Sequence, residues 1–574
     1  MKKSMDKYFK NANKQSKRKE GEIYTDLNIS DEVHKFYGDI SKEFFDFDKV
    51  KASNGIIEPY DLSVHISTLI TKIEAETKLI VSKYPKYYWK FITTALPKDI
   101  YSGELPTTWA FAVKMMESAI SFSSQEVDVS ELYKGIEFQS TKSVLINIDD
   151  SFILDYCYLI ALSRTICDMY VTIRFASKGC NFKFISKNVT PEIIGDIDIE
   201  SSVHLYDQRN VIEARVSSSR YLPTKSGFSL KQKHIGKIGQ YLIVANDNPN
   251  PKMDFVPKYA NKLKKTRLTE INYNIMPFNL HTISKDFKVK NTDFPWKIEL
   301  LEIICILDFV SKIIANGWVF LPDIAMKGYI LISKSFVSEH FPPFVESCKS
   351  YQKDIFNRTF ELSSNDLIEK YKQPISEQIY PSNASLLFDA GKMLGFDLSN
   401  SLDLLLKHLQ YTKSQGEIAN LRGDFFESQT QEIIDLTRYK PKNEVRALVG
   451  KQLKSNGKFI TDIDSIFIVE DVLIAISCKS MPITEEYDRG DYVSIRNTTS
   501  NLSKYILEWK DKIEYINKNK VGDNYDLSSF TNVYGVVVTP NVLYLDHEKL
   551  HQLPIDGLFN YMSVLEMESW LNKT

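Results

Sequence analysis

A short stretch near the carboxyl terminus, residues 461–480, constrains the fold more than any other part of the chain. Two runs rich in β-branched and aromatic residues enclose one polar pair, Glu470-Asp471. Runs of this length and composition are typical of strands, and a polar pair between two strands favours a hairpin turn. If the polar pair forms a two-residue loop, Val469 lies opposite Val472.

This register predicts a polar patch on one face of the hairpin. Counting back from the loop, Asp464 lies opposite Ser477 and Asp462 lies opposite Lys479. Directly opposed residues have Cβ atoms about 4.5–5.5 Å apart, and residues two positions apart share a face. Two carboxylates, a hydroxyl and an amine are therefore expected side by side. The other face is expected to be apolar and to lie in a core, and it comprises Ile463, Ile474, Ile476 and Cys478.

Helices and one further strand are predicted around this hairpin. Apolar residues recur at helical spacing over residues 416–435 and again over residues 501–518. Residues 533–540 form an apolar run that ends at a proline, which is typical of a buried strand. The order helix, strands, helix, strand predicts an α/β domain with a central mixed sheet flanked by helices.

Three short motifs lie on these elements. They are Gly-Asp-Phe-Phe-Glu at residues 423–427, Ile-Asp at residues 463–464 and Ser-Cys-Lys at residues 477–479. Their order, spacing and strand context resemble the PD-(D/E)XK nuclease superfamily, which has the restriction-endonuclease-like fold. The resemblance covers residues 406–574 and none of the first 400 residues.

The resemblance implies metal-dependent hydrolysis of DNA, with Mg²⁺ or Mn²⁺ as the cofactor. It implies that Glu427, Asp464 and Lys479 are the catalytic residues. The metal ligands would be Asp464, Glu427 and the backbone carbonyl of Cys478, because Mg²⁺ prefers oxygen ligands. Lys479 would orient or deprotonate the attacking water and offset charge in the transition state.

Ser477 departs from the family pattern, which has an acidic residue at this position. The missing carboxylate would come from elsewhere in the chain, or the domain would bind nucleic acid or a partner protein without cutting. An ordinary surface ion pair between Lys479 and Asp462 is the plainer alternative, and such a pair contributes about 0–1 kcal/mol. The supplementary candidates, besides Ser477 itself, are Asp462, Glu485, Glu486 and Asp491.

A second motif suggests an alternative to the nuclease interpretation, a zinc protease. His547 and His551 flank a glutamate in the zinc-protease pattern of two histidines four residues apart on a helix. Pro554 follows closely and leaves little room for a continuing helix. A solvated loop or short helix is therefore the favoured interpretation of this segment.

Length and composition predict a multidomain cytoplasmic protein. A chain of 574 residues is too long for one ordinary domain. Its net charge of −2 means that any nucleic-acid binding must be local. Its six cysteines include no C-x-x-C pair, which fits reduced thiols in the cytoplasm. Charged residues interrupt the most apolar stretches, so no membrane association is expected.

Four segments are predicted. Residues 1–22 form a basic flexible tail, and residues 23–290 form a helix-rich α or α+β domain. Residues 291–405 form a helical domain or linker before the nuclease-like domain of residues 406–574. Within the helix-rich domain, strands are expected near residues 203–206 and 241–244.

A basic segment, residues 225–267, interleaves lysines with aromatic residues. This pattern suits a nucleic-acid groove, and it equally suits a solvated loop face. By analogy alone, a nuclease with a large additional region suggests bacterial restriction or anti-phage defence, with that region serving recognition, sensing or partner binding. DNA is the expected partner, while a partner protein of the same system and a homodimer remain open. The candidate nucleic-acid-binding residues are Lys231, Lys233, Lys237, Lys262, Lys264, Lys265 and Arg267.

Overall fold

The structure is a computed structural model. It describes residues 29–44, 52–53, 55–95, 112, 115–123, 150–183, 192–194, 197–221, 240–243, 274–277, 298–316, 329–356, 358–374, 376–379, 385–397, 404, 417–481 and 483–573. The predicted basic tail, residues 1–22, lies outside these ranges.

The amino-terminal part is built mainly from helices, as the periodicity of this region predicts. Helix α4 is buried on almost every side, and α1 and α2 pack against it. The strand predicted at residues 203–206 is wrong, because these residues lie within α5. A short β-branched and aromatic run was overridden there by the longer helical context. The helices are α1 (Ile29–Phe44), α2 (Pro59–Val81), α3 (Lys86–Ala95), α4 (Asp150–Ala176) and α5 (Ile197–Tyr221).

Two small sheets accompany these helices. Four short strands pair antiparallel in the order β1-β2-β3-β4, and β5 pairs with β6 in parallel. The strand expected near residues 241–244 is confirmed by β5. The strands are β1 (Ala52–Ser53), β2 (Ile56–Ile57), β3 (Asn181–Lys183), β4 (Glu192–Ile194), β5 (Gln240–Ile243) and β6 (Asn274–Pro277).

Residues 291–405, which were expected to be helical, also contain a three-stranded antiparallel sheet in the order β7-β9-β8. At the end of β9, the buried Asp397 forms ion pairs with Lys86 and Lys90 of α3. These pairs join segments about 300 positions apart in the sequence. The elements are α6 (Ile298–Asn316), β7 (Tyr329–Ser333), α7 (Lys334–Phe356), α8 (Ser364–Lys372), β8 (Leu387–Ala390) and β9 (Met393–Asp397).

The carboxyl-terminal part contains a mixed four-stranded sheet in the order β12-β13-β14-β15. The first pair is antiparallel and the next two pairs are parallel. The elements are α9 (Glu417–Asp435), α10 (Asn443–Arg446), β10 (Leu453–Ser455), β11 (Lys458–Thr461), β12 (Ser465–Val469), β13 (Val472–Cys478), α11 (Glu485–Asp488), α12 (Tyr492–Lys518), β14 (Asn532–Thr539), β15 (Tyr561–Ser563) and α13 (Val564–Asn572).

Helices cover both faces of this sheet. Trp509 and Ile513 of α12 belong to the apolar cluster on one face. Phe426 of α9 and Leu565 of α13 belong to the cluster on the other face. The described residues form a mixed helix and sheet structure, compatible with a multidomain α+β architecture.

The hairpin forms in the predicted register, because Val469 pairs with Val472. Glu470 in its loop adopts a left-handed conformation with φ of 55°. One expectation about the faces is wrong. Ile463 packs with the α12 cluster, whereas Ile474 and Ile476 belong to the α9 cluster. The chain bends at residue 464, and this bend interrupts the alternation that the prediction assumed.

Contacts cross the predicted boundary at residue 406. The apolar cluster of the α12 face also contains residues of α1 to α4. The guanidinium group of Arg209 in α5 forms two hydrogen bonds of 2.7 Å with the carboxylate of Glu566 in α13. Among the described residues, no helix combines the length and apolar character that crossing a bilayer requires.

Candidate active site

Asp464 lies at the bend that leads into β12, and its carboxylate is held by the neighbouring strand. Its backbone N–H donates to the carbonyl of Ile476 at 3.1 Å. Its Oδ2 accepts the backbone N–H of Cys478 at 2.6 Å and the hydroxyl of Ser477 at 3.4 Å. The carboxylate is therefore oriented by the chain itself, beside the residues that the hairpin register predicts.

Helix α9 brings Glu427 to the same place through a buried glutamine. The Gln431 side chain accepts the backbone N–H of Ile466 at 2.7 Å and donates to the carbonyl of Ile466 at 3.2 Å. One turn earlier on the helix, the carbonyl of Glu427 accepts the hydroxyl of Ser465 at 3.4 Å. These bonds fix α9 against the start of β12 and place Glu427 beside Asp464.

The electrostatics of this cluster show that its charged groups interact. Burial raises the pKa of Glu427 to about 7, with further contributions from the carboxylates of Asp464, Asp424 and Asp462. Lys479 opposes this shift. Burial also raises the pKa of Asp464, against the opposing effects of Lys479 and of the hydrogen bond from Cys478. The repulsion between these carboxylates would be relieved by a bound cation.

Lys479 follows β13 and is held by the next strand. Its backbone N–H donates to the carbonyl of Val538 at 2.8 Å, and its Nζ lies 5.6 Å from the ring centroid of Tyr505 in α12. Within the described part of the chain, the ion pairs do not include one between Lys479 and Asp462. The plain surface ion pair that the sequence left open is therefore not what the structure shows.

Of the supplementary acids, one interacts with the site and the other three have different roles in the structure. Asp462 is among the groups that raise the pKa of Glu427. Asp491 instead caps α12 by accepting the backbone N–H of Ser494 at 2.7 Å. Glu486 pairs with Arg489 at 3.7 Å, and Glu485 begins the short α11.

Three neighbours of the site were not singled out from the sequence. Asp424 lies inside the motif that contains Glu427, but nothing in that motif distinguishes it from a solvated acid. Gln431 follows Glu427 by four positions, so helical spacing could have placed it on the same face. Tyr505 lies in the segment 501–518, which the sequence pattern identified only as a helix.

Two other sequence expectations have different outcomes. The interpretation of residues 547–551 as a loop or short helix is confirmed, because His547 begins a 3-10 helix that ends at Lys549, so the two histidines do not share an α-helix. Among the described residues there is also no group of three or more His, Cys, Asp or Glu side chains arranged to hold a metal ion. The candidate nucleic-acid-binding residues Lys231, Lys233, Lys237, Lys262, Lys264, Lys265 and Arg267 lie outside the described residues.

Comparison of the chain with protein-family models, with curated proteins and with solved structures gave no match. The case for a function therefore depends on the geometry of the cluster.

Proposed function

We propose that the carboxyl-terminal sheet carries a Mg²⁺- or Mn²⁺-dependent nuclease site that hydrolyses phosphodiester bonds in DNA. The observation that carries this proposal is the convergence of Asp464, Glu427 and Lys479. The bend before a strand, a helix and a strand end each contribute one of these side chains, and the pKa values of both carboxylates respond to the same lysine.

The donor atoms of the cluster fit a hard divalent cation. Mg²⁺ is usually bound through one or two carboxylates, several waters and the phosphates of a substrate. Asp464 and Glu427 supply two carboxylates, and one oxygen of Asp464 is already engaged by Cys478. A site with two protein carboxylates does not require a group of three acidic side chains. The backbone carbonyl of Cys478 is a further oxygen ligand from the same segment.

The residues of the chain have separate roles in this mechanism. The Cys478 amide holds the Asp464 carboxylate in one orientation, so its free oxygen is preorganised. Lys479 offsets negative charge that develops on the phosphoryl oxygens, and this kind of stabilisation is typically worth a factor of about 10²–10³ in rate. The cation supplies Lewis-acid polarisation of a phosphoryl oxygen when bound.

Glu427 would hold the cation or a water bound to it, because the burial and neighbouring carboxylates that raise its pKa in the metal-free chain are effects that a cation would offset. Lys479 would orient or deprotonate the attacking water. Of the supplementary acids, Asp462 acts on the pKa of Glu427.

A plasmid-nicking assay tests the proposal. The full chain is expected to nick supercoiled DNA with Mg²⁺ or Mn²⁺ and to lose this activity in EDTA. Asp464→Asn and Lys479→Met should each reduce the rate by about 10²-fold or more. The control is Lys510→Met, which removes an exposed lysine of α12 that is 65% accessible. Thermal melts of each variant separate loss of chemistry from loss of folding.

The results of this assay distinguish the proposed nuclease from its alternatives. Nicking that survives EDTA, or that is unchanged in Lys479→Met, contradicts the proposed site. Ser477 supports one second candidate, a catalytically inactive nuclease-fold module that binds nucleic acid or a partner protein. That candidate predicts DNA retention without cutting in the wild-type chain. A regulated nuclease predicts activity only after its partner protein is added.

A role in bacterial restriction or anti-phage defence completes the proposal. The helix-rich amino-terminal part would provide recognition, sensing or partner binding, and a cytoplasmic location would give access to DNA. The support for this wider role is analogy. The contacts between α5 and α13 offer a physical route by which the amino-terminal part could influence the site.

A further inference from the structure

The hairpin of β10 and β11 leads directly into the acidic residues of the candidate site. Its two-residue loop is Asn456-Gly457, with φ values of 53° and 72°. Asn-Gly in this conformation is the preferred connection for a tight hairpin. The carboxylate of Asp523 accepts the backbone N–H groups of Asn456 at 3.1 Å and Gly457 at 2.7 Å. These two hydrogen bonds hold the loop of the hairpin in place.

One pair on this hairpin presents an aromatic ring and a lysine to solvent. Lys454 lies directly opposite Phe459 in the strand register. Both side chains are exposed, and Phe459 is 56% accessible although it is a large apolar residue. Leu453 and Thr461, which pair with each other, are buried. One pair of hairpin side chains is thus buried, and the other pair is exposed to solvent.

The charged side chains of the hairpin segment itself are all positive. Residues 447–461 contain three lysines and no acidic residue. The nearby carboxylate of Asp523 is engaged with the loop amides. Lys451 donates to the carbonyl of Asn524 at 2.9 Å, while Lys454 and Lys458 lie on exposed positions of the hairpin. An anionic ligand is the complement of this surface.

We propose that Phe459 and Lys454 bind an unpaired base and its adjoining phosphate on the same DNA strand that enters the candidate active site. This inference rests on the proposed nuclease function and adds the class of substrate. An aromatic ring stacks on a base only when a face of that base is free, which happens in single strands and frayed ends. A protein partner is the alternative occupant that the experiment excludes.

The short distance along the chain between Phe459 and Asp464 supports the proposal that one DNA strand contacts both. Phe459 precedes Asp464 by five positions, and an extended chain spans at most about 3.3–3.6 Å per residue. The Cα atoms of the two residues therefore lie within about 18 Å of each other. Stacked nucleotides rise about 3.4 Å each, so about five nucleotides span the distance between these Cα atoms.

Fluorescence anisotropy of the full chain in EDTA tests this inference. The probes are a fluorescein-labelled single strand of mixed sequence and a blunt duplex of the same sequence. Phe459→Ala should weaken binding of the single strand about 5- to 150-fold, which corresponds to about 1–3 kcal/mol for one stacked base. Binding of the duplex should change much less. Phe459→Trp should retain the affinity, because it preserves the stacking surface.

Two further variants test the phosphate contact and the specificity of the effect at Phe459. Lys454→Gln should weaken binding and reduce the salt dependence by about one phosphate contact. Leu507→Ala is the matched control, because Leu507 of α12 is also 56% accessible and apolar. It should leave DNA binding unchanged. Thermal melts should be unaffected for all of these exposed positions.

The outcomes distinguish this inference from the proposed function. If the wild-type chain nicks DNA but Phe459→Ala binds the single strand as tightly as wild type, the inference is overturned and the nuclease stands. Equal weakening of single strand and duplex also overturns it, because duplex bases offer no free face. If the wild-type chain neither binds nor cuts DNA, the proposed function itself fails.

Discussion

The buried ion pairs of Asp397 lead to a strong prediction about stability. The Asp397 carboxylate lies 2.9 Å from the Nζ of Lys86 and 3.0 Å from the Nζ of Lys90. All three side chains are at most 2% accessible. Burial alone would raise the pKa of Asp397, but the two ammonium groups lower it well below its usual range. The carboxylate is therefore ionised throughout the physiological pH range.

Asp397→Asn keeps the shape of the side chain and removes its charge. Lys86 and Lys90 then lose the Asp397 carboxylate, although Lys90 keeps the carboxylate of Glu117 at 3.8 Å. Removing one partner of a buried ion pair typically costs about 3–5 kcal/mol, because the remaining charge stays desolvated. This loss is a large part of the total stability of a domain, which is typically about 5–15 kcal/mol.

Urea unfolding followed by circular dichroism measures this effect as a shift of the transition that includes β7 to β9. Glu508→Gln is the control, because the Lys504–Glu508 pair is 68% and 52% accessible and should cost at most about 0.5 kcal/mol. Lys86→Met, Lys90→Met, Asp397→Leu and Glu117→Gln together should recover part of the lost stability; Glu117 is included because its carboxylate lies 3.8 Å from the Nζ of Lys90.

The pH dependence provides an independent check. A carboxyl whose pKa is lowered on folding stabilises the folded state above its unfolded pKa of about 3.9 and loses that contribution as the pH falls. Wild-type stability should therefore decline below about pH 4 more steeply than that of Asp397→Asn. A cost below about 1 kcal/mol for Asp397→Asn would refute the reasoning, because exposed pairs already account for that much.

Two further predictions concern the carboxyl-terminal sheet. Burial raises the pKa of Glu427 to about 7. Between its ordinary pKa and that value, the folded chain therefore binds more protons than the unfolded chain. The free energy of unfolding consequently falls as the pH rises through this window. Glu427→Gln should therefore raise the unfolding temperature at pH 8 but not at pH 4 in metal-free buffer; equal shifts at both values would contradict the assignment. A Cβ at Gly535 would lie 2.7 Å from the Ile513 side chain and 2.9 Å from Trp509, so Gly535→Ala should destabilise the chain by about 1–3 kcal/mol in urea unfolding. Gly423→Ala in α9 meets no atom within 4 Å and should be neutral or stabilising by about 0.5–1 kcal/mol, and similar losses in both variants would contradict this packing argument.

Elements of the carboxyl-terminal sheet could be predicted from local patterns. The hairpin register, α9 and β14 follow from alternation, helical spacing and a terminating proline, all of which act over a few neighbouring residues. Helix α12 was predicted from residue 501, but it begins at Tyr492, behind the N-cap Asp491. The cap was a local signal that the apolar pattern did not include.

Other features depend on contacts that no local pattern encodes. Ile463 lies with the α12 cluster because the chain bends at the next residue, and residues 203–206 are helical because the surrounding segment forms α5. The pairing of Asp397 with Lys86 and Lys90 joins residues about 300 positions apart. Periodicity describes which face of an element is apolar, but it does not identify the element that covers that face.

The amino-acid sequence alone therefore determined the helix that carries Glu427 and the strand that follows Asp464, because backbone propensity and side-chain alternation are local properties. The tertiary structure decided that the two carboxylates meet, since their approach depends on Gln431 anchoring α9 to the backbone of Ile466. It also decided their pKa values, because burial and neighbouring charge arise only when distant segments pack together.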